Sequence, residues 1–272
     1  MERKIVHRVE DGMDREDILC TSYQMRNFFR QMGDGFFKNL DVMNYIQHYK
    51  AAKMIKKGWK VLDVCCGRSM LLPLIRYHAK GIGEYVGVDI SEANIKEAMT
   101  RAGYNRKIDH ATYYKFPHRW VNCNVAEMTK HISTMNYFDF VVYTSAIEHM
   151  HKVDGEQSLT EIFWLMKPGG TMFLSTPRTE NGGFNTQYRA HVYEWGLKEL
   201  YEAIGKAGFT IQNAYGLIPN KEALEKRLKE DKDLASMYDV LKSYVPMEFL
   251  MPVLAPAFPQ LCKEVLLIVR KP

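Results

Sequence analysis

Apolar and polar positions repeat in two registers along this chain. Short runs rich in β-branched and aromatic residues recur at KVLDVCC (60–66), YVGVDI (85–90), RWVNCNV (119–125), FDFVVYTSA (138–146), TMFLSTP (171–177), FTIQNAYG (209–216) and EVLLIVRK (264–271). Between several of them the apolar residues fall three and four apart, which predicts helices at about 69–79, 91–102, 156–167 and 195–207. The last puts Leu197, Leu200, Tyr201, Ile204 and Ala207 on one face and stops at Gly208. Strands separated by helices build a mainly parallel sheet covered on both faces, so the expected fold class is α/β with seven strands.

Two segments fall outside that alternation. Residues 1–56 read as an N-terminal helical cap, because Phe28, Phe29, Met32, Phe36, Phe37, Leu40, Met43 and Ile46 supply more apolar surface than a free tail carries. The main domain is then 57–272, with an insertion at 219–260 before the last strand. Within the insertion NKEALEKRLKEDKD reads as a solvated helix, and Leu234, Met237, Tyr238 and Leu241 mark a second. PMEFLMPVLAPAFP, with its four prolines, reads as an apolar loop over a cleft or at a subunit contact.

Composition narrows the class. Of 272 residues 46% are apolar and 25% charged, without repetitive tracts, which disfavours disorder, collagen and coiled coil. No apolar run approaches the roughly 18 residues of a spanning helix, and the start, MERKIVHRVEDGMDRED, is charged where a secretory signal is apolar. A cytoplasmic protein without a membrane partner is expected. The net charge of +5, without a block of like charges, permits a nucleic-acid partner and does not indicate one. Cys20, Cys65, Cys66, Cys123 and Cys262 form an odd set without a CxxC pair, so they read as reduced thiols.

The chemistry begins where the first strand ends, in D-V-C-C-G-R-S (63–69). In an open parallel sheet ligands sit beyond the carboxyl ends of the strands. Gly67, lacking a Cβ, lets the chain turn sharply there and brings backbone N–H groups against a ligand at the mouth of the next helix. The second strand ends in Asp89, 22 residues after Gly67, where a carboxylate can accept both hydroxyls of a ribose. An adenosine-bearing cofactor follows. A nicotinamide enzyme would need GxGxxG, which DVCCGRS lacks.

Taken together, VLDVCCG, YVGVDIS, FDFVVYTSAIEH and LMKPGGTMFLSTP resemble the class I S-adenosylmethionine-dependent methyltransferases over about 55–216. The resemblance implies a Rossmann-like seven-stranded sheet with an antiparallel last strand and S-adenosylmethionine across the ends of the first two strands. Gly67 would approach the methionine moiety, Asp63 would lie beneath it and Asp89 would hold the ribose; Cys65, Ile90, Asn124, Val125 and Thr144 complete the expected cofactor set. The amide oxygen of Asn124 takes the place of the family's usual aspartate toward the adenine amino group. Cys65 and Ser69 occupy the outer glycine positions of the family's DxGxGxG turn.

Identity resides on the acceptor side. The fourth strand runs into Ser145-Ala-Ile-Glu148-His149, and a later segment reads Arg189-Ala-His191-Val-Tyr-Glu-Trp195. Glu148, His149 and His191 are the candidate catalytic residues, as proton acceptors or metal ligands. Their pattern resembles the small-RNA 3′-terminal 2′-O-methyltransferases, in which two Glu and two His hold a divalent metal, and the quinone-pathway O-methyltransferases, which act on small phenols. Ser145 stands where both carry a first carboxylate, which lowers the affinity of the site for Mg²⁺ or Mn²⁺. The expected activity is methyl transfer to an oxygen, or else a nitrogen, of a small molecule; the alternatives are RNA 3′-terminal 2′-O-methylation and a non-catalytic cofactor-binding partner subunit. The sequence leaves the oligomeric state open.

Overall fold

The computed structural model describes residues 39–79, 81–102, 114, 116–180, 182–183 and 190–272. Phe28 to Phe37 of the expected cap, and Cys20, lie outside these residues. The elements in chain order are α1 (Asn39–Met54), β1 (Lys60–Val64), α2 (Leu71–His78), β2 (Glu84–Asp89), α3 (Glu92–Arg101), β3 (His118–Asn122), β4 (Phe138–Thr144) and α4 (Lys152–Leu165). They continue with β5 (Met166–Thr179), β6 (Trp195–Gly196), α5 (Leu197–Lys206), β7 (Thr210–Gly216), α6 (Lys221–Lys229), α7 (Lys232–Tyr244), α8 (Met247–Leu254) and β8 (Glu264–Arg270).

The main sheet runs β3-β2-β1-β4-β5-β8-β7, and β8 lies antiparallel to both of its neighbours. All seven expected runs are strands of it, with the last one reversed as the resemblance implied. Their burial explains the order. β1, β2 and β8 are buried almost throughout, because both faces are covered, whereas the flanking β3 and β7 carry many exposed positions. Alternate residues feed two cores: Leu62, Val86 and Val141 pack with Leu159 and Ile162 of α4, while Val61, Tyr85 and Phe140 pack with Leu71 and Ile75 of α2 and with Met43 and Ala51 of α1. Each such fully buried aliphatic side chain contributes about 1.5–3 kcal/mol. Thus α1, the described part of the cap, shares the apolar core of one sheet face. A third cluster, Leu224, Leu228, Tyr238, Leu250 and Met251, ties together α6, α7 and α8.

Four local expectations change. The proline-rich segment forms α8 and two 3₁₀ turns, Ala255–Ala257 and Pro259–Leu261. Pro246 is the N-cap of α8 and Pro256 and Pro259 open the turns, where a helix needs no N–H; only Pro252 lies inside, and it is buried. α4 starts at Lys152, four residues earlier than the periodicity indicates. Gly155 weakens the helical pattern there, yet a Cβ on it would lie 2.8 Å from Trp195 Cζ2, so packing asks for the glycine. Trp195 and Gly196 pair with Arg178 and Thr179 as a short strand before α5 begins. β3 stops at Asn122, which leaves Asn124 in the following turn as the N-cap of the 3₁₀ segment Val125–Lys130.

Candidate active site

Between β1 and β4 the strand order reverses, and the carboxyl ends of β1, β2 and β4 open onto one edge of the sheet. At that edge Cys65, Gly67 and Ser69 have φ of +54°, +51° and +54°. The left-handed region costs a residue with a Cβ roughly 1–2 kcal/mol, so the turn keeps a glycine backbone at all three alternate positions although two are substituted. Gly67 has open space where a Cβ would project; its angle, and not crowding, asks for glycine. Ser69 is buried, and its Oγ accepts a 2.8 Å hydrogen bond from Trp120 Nε1 and lies 3.1 Å from the Tyr85 hydroxyl. That hydroxyl donates to Asp63 Oδ2 at 2.6 Å. Burial pushes the Asp63 carboxyl up to about 7, with the Tyr85 bond opposing and the Asp89 charge adding. The Cys65 thiol borders the cleft, and burial first, then the nearby carboxylates, hold its pKa far above the usual range, so it is no thiolate nucleophile.

Asp89, nearly buried at the end of β2, accepts from Gly67 N at 2.9 Å with Oδ2 and from Ser91 N at 2.8 Å with Oδ1. One carboxylate therefore fixes the glycine turn and caps the chain entering α3. Asn122 Nδ2 donates to the carbonyls of Asp89 and Ile90, both at 2.9 Å, which anchors this strand end to β3. Asn124 Oδ1 accepts from Ala126 N at 3.0 Å and retains a second lone pair. Cys65, Gly67, Asp89, Ile90, Asn124 and Val125 border one cleft of about 490 Å³, within the range of small-ligand sites. A carboxylate, a glycine turn and an amide along one such cleft suit the expected adenosine-bearing cofactor. Two expected members do not border it: Asp63 is beneath the turn, and Thr144 still pairs with Ser175 inside the sheet. Sequence reasoning missed Asn94, Met150, His151, Asp154 and Val192, which do border it.

The chain leaves the sheet at Ser145, another non-glycine residue with positive φ (+48°), and enters the 3₁₀ turn Ile147–His149. Strain of this kind concentrates where function demands a fixed backbone. The carbonyl of Glu148 accepts from Val192 N at 2.8 Å and Tyr193 N at 3.0 Å, which draws the 190–193 segment over the turn and sets His191 beside His149. The two rings meet edge to face, 5.1 Å between centroids. His149 Nδ1 is 2.7 Å from the Ala190 carbonyl and His191 Nδ1 is 2.5 Å from Glu194 Oε1. An oxygen acceptor calls for the proton on Nδ1, so in each neutral ring Nε2 carries the lone pair. Glu148 is buried and accepts from Thr176 Oγ1 at 2.9 Å; burial raises its pKa against the lowering effect of its hydrogen bonds and the two histidines.

One donor atom each from Glu148, His149 and His191 lies within 4.8 Å of the others. The three border a second cavity of about 660 Å³, whose other walls include Asn44 of α1, Arg178, Glu194, Lys263 and Glu264. Glu264 is pushed up to about 7 by burial, then by the charges of Glu148 and Glu194. Glu264 carries no motif signal, since its place at the site depends on the return of β8 beside β5, whereas Glu194 stands in the 189–195 segment, three residues after His191. Ser145 and His149 border both cavities, so the two meet there. Trp195, by contrast, is fully buried in the core and Tyr193 packs edge-on against it. Among the described residues no helix is long and apolar enough to cross a membrane, and Cys65, Cys66, Cys123 and Cys262 are free thiols.

A family model described as a methyltransferase domain matches residues 40–214. The mRNA cap guanine-N(7) methyltransferase 1 of Oryza sativa subsp. japonica is 30% identical over 138 residues, 49% of this chain and 37% of that protein. The mitochondrial ubiquinone biosynthesis O-methyltransferase of Bos taurus is 32% identical over 120 residues, 44% of this chain and 29% of that protein. The chain thus spans about a third of the length of these curated relatives. Among solved structures, phosphoethanolamine N-methyltransferase 2 of Haemonchus contortus, in complex with phosphomonomethylethanolamine and S-adenosylhomocysteine, has a TM-score of 0.54 at 16% identity. That match covers 84% of this chain and 53% of the other, a likeness of fold alone.

Proposed function

Because the chain belongs to the class I S-adenosylmethionine-dependent methyltransferases, we propose that it methylates an oxygen of a small molecule held in the cavity around Glu148, His149 and His191. One observation carries this reading: Ser145 and His149 form the common wall of the cofactor-sized cleft and the second cavity, so a hydroxyl beside His149 lies at the mouth of the first. S-adenosylmethionine supplies an electrophilic methyl group on a sulfonium, which leaves the protein to align the acceptor, exclude water and take up the hydroxyl proton.

This reading gives each residue a role. Gly67 presents backbone to the methionine part of the cofactor, Asp89 accepts from the ribose hydroxyls, and Asn124 Oδ1 faces the adenine amino group, with Cys65, Ile90 and Val125 as walls. Asp63 acts from below through Tyr85 and Ser69, which hold the turn. On the acceptor side Nε2 of His149 takes the hydroxyl proton while the Ala190 carbonyl keeps the ring in that tautomer. Glu194 does the same for His191, and Glu148 favours the positive charge that arrives on either ring.

A cavity of about 660 Å³ suits a small acceptor, and a ubiquinone biosynthesis O-methyltransferase among the relatives supports oxygen as the acceptor atom. An RNA acceptor is the second reading, favoured by the cap methyltransferase relative and by Arg178 and Lys263 on the cavity wall.

The test is to incubate the protein with methyl-labelled S-adenosylmethionine and fractionated extract, and then to repeat it with His149→Ala and His191→Ala. Label should enter the small-molecule fraction. The variants should bind S-adenosylhomocysteine within about threefold of wild type yet lose roughly a hundredfold or more in turnover, the usual share of a positioned base. Label in RNA would replace the acceptor assignment, and full turnover by both variants would remove the histidines from the chemistry. Tight cofactor binding with no label in any fraction would leave the partner-subunit alternative.

A further inference from the structure

The cavity beside the histidines continues into a groove. Arg178, Thr179, Glu180 and Lys263 border both the cavity of about 660 Å³ and a neighbouring space of about 670 Å³, so the two meet along these residues. Backbone hydrogen bonds gather the groove from distant parts of the chain. Arg178 N donates to the Lys263 carbonyl at 2.9 Å, and Lys263 N to the Ile218 carbonyl and Asn220 N to the Leu261 carbonyl, both at 2.7 Å. The pairing of Arg178 and Thr179 with Trp195 and Gly196 brings Lys198, in the first turn of α5, to the same groove. Asn220 and Ala223 at the start of α6 form another wall, where the helix end adds a partial positive charge.

Charge is divided between the two ends. Glu148, Glu194 and Glu264 border the histidine cavity but not the groove, where Arg178, Lys198 and Lys263 stand against one carboxylate, the exposed Glu180. Arg178 is half-buried and gives one guanidinium N–H to the Gln260 carbonyl at 2.8 Å; neither it nor Lys263 pairs with a carboxylate among the described residues. Lys198 lies 4.0 Å from Glu202 with both side chains in solvent, a pair of little strength. Burial raises the pKa of Cys262 on the groove wall and the Arg178 charge opposes the rise, so the guanidinium acts on this space. The remaining N–H groups of its planar fork match an oxyanion. Beside two ammonium groups that fork suits a doubly charged ligand: a phosphate monoester carries about −1.5 to −2 at neutral pH, whereas a carboxylate or an RNA diester is singly charged.

We propose that the acceptor is a small phosphate monoester, whose phosphate is held in the groove by Arg178 with Lys263 and Lys198 while its hydroxyl lies beside His149 in the adjoining cavity. This rests on reading that cavity as the acceptor site. The basic groove and the carboxylate-lined cavity then decide which end of the acceptor goes where. Binding energy from the phosphate, remote from the reacting hydroxyl, goes into holding that hydroxyl at the mouth of the cofactor cleft.

The experiment titrates the full chain, loaded with S-adenosylhomocysteine, by calorimetry with phenyl phosphate, with benzoate and with a short single-stranded RNA lacking terminal phosphates. Wild type should bind phenyl phosphate about tenfold or more tightly than either of the others. Arg178→Met should weaken phenyl phosphate about tenfold or more, and Lys263→Met, at an exposed position, roughly threefold or more, both with S-adenosylhomocysteine affinity unchanged as the sign that the fold survives. No binding of phenyl phosphate by wild type, or unaltered binding in both variants, would overturn the subsite; benzoate or RNA bound as tightly would overturn its assignment to a monoester. In the methyl-label assay, extract pretreated with phosphatase should lose label from the small-molecule fraction. Label that persists would overturn the phosphorylated acceptor and leave the proposed activity standing. No label from untreated extract would overturn that activity, and the phosphate titration then decides the groove by itself.

Discussion

Replacing Ser69 by glycine restores the residue that a positive φ favours, and it should nevertheless destabilise the protein. At φ +54° the serine bears a left-handed cost of roughly 1–2 kcal/mol. Glycine removes that cost but loosens the unfolded chain by about 0.4–1 kcal/mol, so the backbone gain lies between about 0 and 1.6 kcal/mol, near 0.8 at mid-range. Against it stand the 2.8 Å bond from Trp120 Nε1 and the 3.1 Å contact with the Tyr85 hydroxyl, both beneath the turn. Depriving a buried group of its partner costs about 1–3 kcal/mol. Tyr85 keeps Asp63 as its acceptor, so its share is the smaller one. The net expectation is a loss of about 1–2 kcal/mol, read in urea as a midpoint lowered by roughly 0.5 M at a slope near 3 kcal/mol/M. Ser69→Ala, which loses the hydroxyl and keeps the strain, should be less stable still. Cys65→Gly, with the same φ of +54° and a side chain at the cleft, should be neutral or slightly stabilising. A Ser69→Gly midpoint at or above wild type, with unchanged slope, would refute the compensation assigned to the hydroxyl.

Other outcomes follow from the same contacts. Asp63 has its pKa raised to about 7 by burial, so the folded state holds its proton more tightly than the unfolded state does. That contribution is fully present below about pH 4 and is lost as pH rises to about 7. Asp63→Asn should flatten this part of the stability profile and exceed wild type above pH 7, by about 4 kcal/mol at most; parallel profiles from denaturant titrations at several pH values would contradict it. Asp89→Asn keeps the shape but loses the charge that accepts from Gly67 N and, in the proposed cofactor site, from the ribose. S-adenosylhomocysteine affinity should drop roughly ten- to a hundredfold, and an unchanged calorimetric constant would dismiss the ribose role.

The seven strands and the glycine turn were legible in the sequence because both rest on local rules. A strand buried on both faces reads as an unbroken apolar run, and a turn that demands positive φ selects glycine or small residues. β1, β2 and β4 therefore stand where their runs are, and Cys65, Gly67 and Ser69 carry the angles that their spacing indicates. Asp89 was legible for the same reason, since it ends a strand at a fixed distance from that turn. The prolines of α8 and Gly155 of α4 misled, because what tolerates them is tertiary: Pro252 is buried, and Trp195 fills the space beside Gly155. The second cavity depends still more on the assembled fold. His149 and His191 meet only because the Glu148 carbonyl collects two amide protons from the segment that follows His191. Glu264 lines the same cavity only because the antiparallel β8 returns along β5, opposite Pro177. Periodicity and turn chemistry act over a few residues, so the sequence alone determined the scaffold and the cofactor edge. Strand order and carbonyl acceptance act between segments far apart in the chain, and they decided which side chains line the second cavity.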